Sequence, residues 1–170
     1  MKSKGNIVFL GMMGSGKTSI GSLVSKKFKL DFYDTDQLIE KKLNTKISKI
    51  FQDKGEKFFR DLEEKITLQI LRNRNIVVAL GGGTFLNKKI RNEILKNHNS
   101  IWLDWDTETL LKRIQNNPKR PIAFNSTSSE LSNLIKKRAN IYSKALYVIN
   151  CNNLTKKQIV DKIVKIYETN

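Results

Sequence analysis

The chain has 170 residues, 39% of them hydrophobic, with only two prolines, which suits one folded domain with a substantial core and excludes a disordered protein. A single thiol, Cys151, excludes an internal disulfide or a cysteine metal cluster, and apolar runs such as Ile76–Leu80 are too short to cross a bilayer. The net charge of +16 comes from 25 Lys and 7 Arg scattered along the chain with 17 Asn, a bias that does not by itself call for a specific nucleic-acid partner.

Ile7-Val8-Phe9-Leu10 reads as a buried parallel strand. It runs into Gly11-Met12-Met13-Gly14-Ser15-Gly16-Lys17-Thr18, which fits G-x-x-x-x-G-K-[ST], the phosphate loop or Walker A pattern. Ile20, Leu23, Val24 and Phe28 then fall at helical spacing, so the loop has the strand and helix it needs. Its glycines let backbone N–H groups turn inward at a helix N-terminus, Lys17 would reach the β- and γ-phosphates, and the Thr18 hydroxyl would sit on Mg²⁺. Lys2 and Lys4 before Ile7 mimic a signal peptide, but the loop lies where the cleavage region would be, and a cytoplasmic protein is expected.

Residues 31–36 read as a short strand ending in two acids, Asp34 and Asp36. Helical patches follow at 37–43 and 47–53, and Gly55 breaks the pattern. A longer helix is expected from Glu56 to about Arg72, with Phe58, Leu62, Ile66, Leu68 and Ile70 as its apolar positions. Ile76–Leu80 is a buried strand closed by Gly81-Gly82-Gly83, and a helix at 88–97 leads to a strand at 100–105. A short helix at 107–115 precedes a polar segment, Asn116 to Ser129. Helix at 130–143, strand at 145–150 and helix at 155–168 complete the chain, with no internal repeat or linker. The alternation implies right-handed βαβ units and a parallel sheet covered on both faces, with ligands at the carboxyl ends of the strands.

A second acid usually joins a phosphate loop around Mg²⁺, and Asp34/Asp36 or Asp104 could supply it; spacing does not choose. Asp36 could equally be a cap or first-turn residue, with Thr35 as another candidate cap. Arginines are scarce in this chain, so Arg60, Arg113, Arg120 and Arg138 stand out as planar forks for carboxylate, phosphate or a flat ring. Glu63 is placed to orient Arg60 across one helical turn, although an ordinary surface pair has the same spacing.

The ordered set GMMGSGKT, DTD at 34–36, FFRDLEE at 58–64, LGGG at 80–83, KRP at 119–121 and KRANIY at 137–142 resembles the shikimate kinases, a family of the nucleoside-monophosphate-kinase group. The resemblance implies an α/β, three-layer P-loop kinase fold, with a five-stranded parallel sheet flanked by helices in one domain, 1–170. It also implies ATP-dependent phosphorylation of the shikimate 3-hydroxyl, with a substrate-binding segment at about 34–64 and a lid at about 116–129. By the same resemblance Asp36 would hold the acceptor hydroxyl, Asp34 would join Thr18 at Mg²⁺, and Arg60 and Arg138 would clamp the carboxylate. Glu63 would support Arg60, and Gly82 and Gly83 would bring backbone to the substrate. Lys17 and Arg120 would stabilise the transferring phosphoryl group, and Arg113 would lie against adenine, bordered by residues 151–155. Asp104, His98 and Cys151 are expected to be bystanders. Shikimate and ATP are the expected partners of a monomer, with no membrane and no specific nucleic acid. Another small-metabolite or nucleotide kinase of the same architecture is the nearest rival; a basic nucleic-acid-binding module is favoured by charge alone.

Overall fold

A computed structural model describes residues 5–115 and 126–169. Its five strands are β1 (Ile7–Leu10), β2 (Asp31–Asp34), β3 (Ile76–Ala79), β4 (Asn99–Asp104) and β5 (Tyr147–Asn150). They form one sheet in the order β2-β3-β1-β4-β5, every adjacent pair parallel. The described helices are α1 (Lys17–Phe28), α2 (Thr35–Leu43), α3 (Ile47–Leu71), α4 (Lys88–Asn97), α5 (Thr107–Gln115), α6 (Ser128–Tyr142) and α7 (Lys156–Thr169). No described helix is long and apolar enough to cross a membrane.

Strand periodicity makes the two outer layers. Successive side chains of β1 alternate between faces: Val8 and Leu10 pack with α4, α5 and α6, while Ile7 and Phe9 pack with α1 and α7. β1 and β3 are buried along their whole length, as expected for strands covered on both sides. A third cluster, Ile39, Ile50, Phe59 and Ile66, joins α2 to α3. The chain passes from β1 to one side of the sheet and later crosses to the other, so the end of β1 is the topological switch point where α/β folds bind ligands.

Several boundaries and faces differ from the sequence expectation. β2 stops at Asp34, so Asp36 lies in the first turn of α2. Within α3 the expected break at Gly55 is present: φ 79 and ψ 169 are non-helical and kink the chain between two helical stretches, a backbone that costs other residues more than glycine. Its buried face is Phe59, Glu63, Ile66, Thr67 and Leu71; Phe58 is exposed, as is Leu23 on α1. α6 begins at Ser128, inside the expected lid, because Thr127 and Glu130 form a reciprocal capping box.

Candidate active site

The phosphate loop turns at the end of β1 with φ 141, 83 and 89 at Gly11, Gly14 and Gly16, conformations other residues rarely adopt. Met12 and Met13 line the turn, Met12 buried and Met13 partly so. Lys17 and Thr18 open α1, whose own first turn carries no acid, so its N-terminal N–H groups face the loop. The Lys17 ammonium lies along the loop and donates to the Gly11 and Met12 carbonyls, both at 2.9 Å. The Ser15 Oγ is buried without a hydrogen-bond partner among the described residues, a donor that suits a phosphate oxygen.

Two acids stand across from this loop. Asp34 is the cap of α2, accepting from the Asp36 and Gln37 N–H groups at 3.0 and 3.2 Å. This corrects both expected cap candidates: Thr35 instead accepts at 2.8 Å from the Gly81 N–H, tying α2 to the end of β3. The other Asp34 oxygen accepts from the Thr18 hydroxyl at 2.6 Å, so the two expected Mg²⁺ ligands touch. A hydroxyl and a carboxylate are hard oxygen donors of the kind Mg²⁺ takes, and the described residues contain no group of three or more His, Cys, Asp or Glu side chains to hold a softer ion. The set therefore fits Mg²⁺ completed by phosphate oxygens and water.

Asp36 lies against the glycine turn; a Cβ on Gly81 would come within 2.4 Å of its Oδ1. Burial, then the nearby Asp34 carboxylate, push the Asp36 carboxyl up to about 6, with Glu63 and Glu40 adding and Lys17 opposing.

The arginines meet at the same turn. Arg60 Nη1 donates to Glu63 at 2.9 Å and Arg60 also contacts Glu56 at 3.3 Å. Burial works against the Arg60 charge, but the Glu63 and Glu56 carboxylates outweigh it and hold the guanidinium above its usual range. Glu63 is buried because its second oxygen accepts from the Thr84 hydroxyl at 2.6 Å. A Cβ on Gly83 would fall 2.7 Å from Arg60 Nη1, so the glycine is what admits the guanidinium. Arg138 reaches the turn from α6, its Nη1 donating to the Gly82 carbonyl at 3.3 Å, and its buried Nε has no hydrogen-bond partner among the described residues. Tyr142, one turn further along α6, donates its hydroxyl to the same carbonyl.

On the far side of the loop, the Arg113 guanidinium stacks 3.7 Å from the centre of the Trp105 ring and donates to the Gly14 carbonyl at 3.4 Å. The Trp105 indole N–H donates to the Ser15 carbonyl at 2.9 Å. Asn152, in the segment expected to border adenine, accepts from the Asp106 N–H at 2.9 Å. Arg120 and the first ten residues of the expected lid, 116–125, lie outside the described residues.

At the carboxyl end of β4, the Asp104 carbonyl accepts from the Cys151 N–H, and burial raises the Asp104 carboxyl. Cys151 is buried filler whose thiol is pushed up to about 12, chiefly by burial. His98 caps α4 at the opposite end of the sheet, its Nδ1 accepting from the Asn6 N–H at 3.3 Å, and burial lowers its pKa. The sequence assigns no role to Thr84 or Trp105, Thr35 is expected there only as a cap, and Tyr142 enters only as the last residue of the KRANIY block. Thr84 directly follows the triple glycine and Tyr142 lies four residues past Arg138, so their positions offered a signal.

A family model described as shikimate kinase matches residues 13–168. The chain is 37% identical over 160 residues to the shikimate kinase of Bartonella henselae, covering 94% of this chain and 76% of that one. It is 40% identical over 162 residues to that of Bacillus subtilis, covering 94% and 87%. A solved structure of the shikimate kinase of Acinetobacter baumannii in complex with shikimate superposes with a TM-score of 0.91 at 27% identity, over 99% of this chain and 95% of that one. With the phosphate loop, the acid pair and the arginine-lined glycine turn gathered at the switch point, the chain belongs to the shikimate kinase family.

Proposed function

We propose that the protein transfers the γ-phosphoryl group of ATP to the 3-hydroxyl of shikimate, giving shikimate 3-phosphate and ADP, a step toward chorismate and the aromatic amino acids. The observation that carries this reading is the meeting of Asp36 with the Arg60–Glu63 pair, around a glycine turn that Arg138 also contacts. One carboxylate for a hydroxyl and two guanidinium forks for an anion match a hydroxylated ring bearing a carboxylate. A nucleotide acceptor would call for base-reading groups, which these residues are not.

In this mechanism the phosphate loop N–H groups, Ser15 and Lys17 receive the β- and γ-phosphates, Lys17 exchanging neutral carbonyl acceptors for charged oxygens. Thr18 and Asp34 would hold Mg²⁺, which would supply neutralisation of phosphate charge. Arg60, held by Glu63, and Arg138 bind the shikimate carboxylate, and Gly82 and Gly83 let the ring approach the backbone. Asp36 then accepts the proton of the 3-hydroxyl as its oxygen bonds to the γ-phosphorus and the bond to the ADP oxygen breaks. With a carboxyl near 6, Asp36 is ionised at neutral pH yet basic enough to take that proton. Arg113, backed by Trp105, offers its outer face to adenine, and by the family resemblance Arg120 would stabilise the transferring phosphoryl group. We place the protein in the cytoplasm, as a monomer.

Titration calorimetry on Arg60→Lys tests the acceptor assignment. The charge is kept and the fork is lost, so shikimate binding should weaken by about 1.5–3 kcal/mol while ATP binding hardly changes. Equal weakening of both ligands would place Arg60 in the fold or the nucleotide site instead.

A further inference from the structure

One backbone oxygen in the site has two donors from the same helix. Arg138 and Tyr142 are four residues apart on α6, and both donate to the Gly82 carbonyl, Arg138 through Nη1 at 3.3 Å. The two bonds are not alike. The Arg138 contact is long, and its Nη1 also faces the Met12 sulfur at 3.7 Å, a weak acceptor. The Tyr142 hydroxyl is firmly held, on a ring that is 2% exposed and lies 6.0 Å from the Trp102 ring. Burial raises the phenol, against the neighbouring Arg138 guanidinium, whose charge and hydrogen bond lower it.

A guanidinium that is to clamp a carboxylate has to give up such a carbonyl. If Arg138 were its sole partner, leaving would strand a half-buried acceptor, and that penalty would be charged against substrate binding. With the Tyr142 hydroxyl already on the oxygen, Arg138 can turn to the anion while Gly82 stays satisfied. The Arg138 Nε, partnerless among the described residues, shows the same readiness, because a carboxylate can take it together with an Nη.

We propose that Tyr142 is a positioning residue of the acceptor subsite: its hydroxyl holds the Gly82 carbonyl and so releases Arg138 to the acceptor carboxylate. This rests on the shikimate reading above. Tyr142→Phe keeps the ring and removes the hydroxyl, leaving Arg138 as the remaining side-chain donor to Gly82 and pinning it there. Steady-state kinetics with shikimate and with its methyl ester, which has no anion for Arg138 to move to, separate this role from a merely structural one. The shikimate KM should rise about five- to thirtyfold, the scale of one hydrogen bond, with kcat and the ATP KM within about twofold. The kcat/KM for the ester should change by less than about twofold.

An unchanged shikimate KM overturns the proposal. So does an equal loss on acid and ester, or a matching rise in the ATP KM, since either would mean that the hydroxyl shapes the turn as a whole. Wild-type protein that is inactive on shikimate defeats the underlying assignment; wild type that is active, with an unaffected variant, defeats this proposal alone. Should Tyr142→Phe fail to fold in a thermal melt, the structure of the wild type with shikimate decides. Arg138 on the carboxylate with Tyr142 still on Gly82 supports the idea, and Arg138 remaining on Gly82 refutes it.

Discussion

Asp36 shows how one residue is made useful at the expense of the fold. Its carboxyl is raised from 3.8 to about 6, first by burial and then by Asp34. The folded state therefore binds this proton more tightly than the unfolded chain does. Its stabilising contribution is complete below about 3.8 and is lost as pH rises through about 6. Asp36→Asn should accordingly raise the stability of the ligand-free protein at pH 7.5 by about 1–2 kcal/mol, and by less at pH 5. Thermal melts at the two pH values check this, and a loss of stability at pH 7.5 would contradict it. The same variant should lower kcat by at least ~10²-fold if Asp36 takes the proton, and the wild-type kcat/KM should fall as pH drops through about 6. A defect confined to the shikimate KM would reduce Asp36 to a binding group. The acid itself was legible in the DTD block. The hydrogen bond from Gly81 to Thr35 was not, because it spans 46 residues and leaves no local pattern.

Among the elements, the glycine turn after β3 has the most consequence, because α2, α3, α6 and the phosphate loop all meet it. Gly83→Ala should push its Cβ against the Arg60 guanidinium, 2.7 Å away, and displace the carboxylate clamp. The shikimate KM should rise roughly tenfold, equivalent to about 1.4 kcal/mol, with the ATP KM unchanged. Steady-state kinetics with each substrate varied in turn check it; a normal shikimate KM would mean that Arg60 swings aside without loss. Phosphate loop, strand cores and the Gly55 break were readable from apolar runs and glycines. The buried face of α3 was readable only in part: Ile66 is buried as expected, but periodicity pointed to Phe58, whereas Phe59 and the charged Glu63 are buried. Hydrophobic pattern cannot register a buried acid that Arg60 and Thr84 satisfy. The start of α6 had a readable sign, the Thr127–Glu130 spacing of a capping box, hidden within a Ser/Thr-rich run.

For the whole molecule, parallel topology does the gathering. Segments as far apart as residues 17, 36, 83 and 138 reach one crevice because β1, β2 and β3 end there and α6 packs beside them. The net charge of +16 is incidental to this arrangement and would attract any polyanion. Binding to duplex DNA should thus be weak, indifferent to sequence and steeply lost with added salt, in a fluorescence-anisotropy titration. Sub-micromolar, sequence-selective binding at physiological salt would give the charge a function of its own. The central claim is phosphoryl transfer from ATP to shikimate, and a coupled ADP-release assay with and without shikimate tests it most directly. ADP release should depend on shikimate and yield one shikimate 3-phosphate per ADP; turnover that ignores shikimate, or needs a different acceptor, would contradict the account.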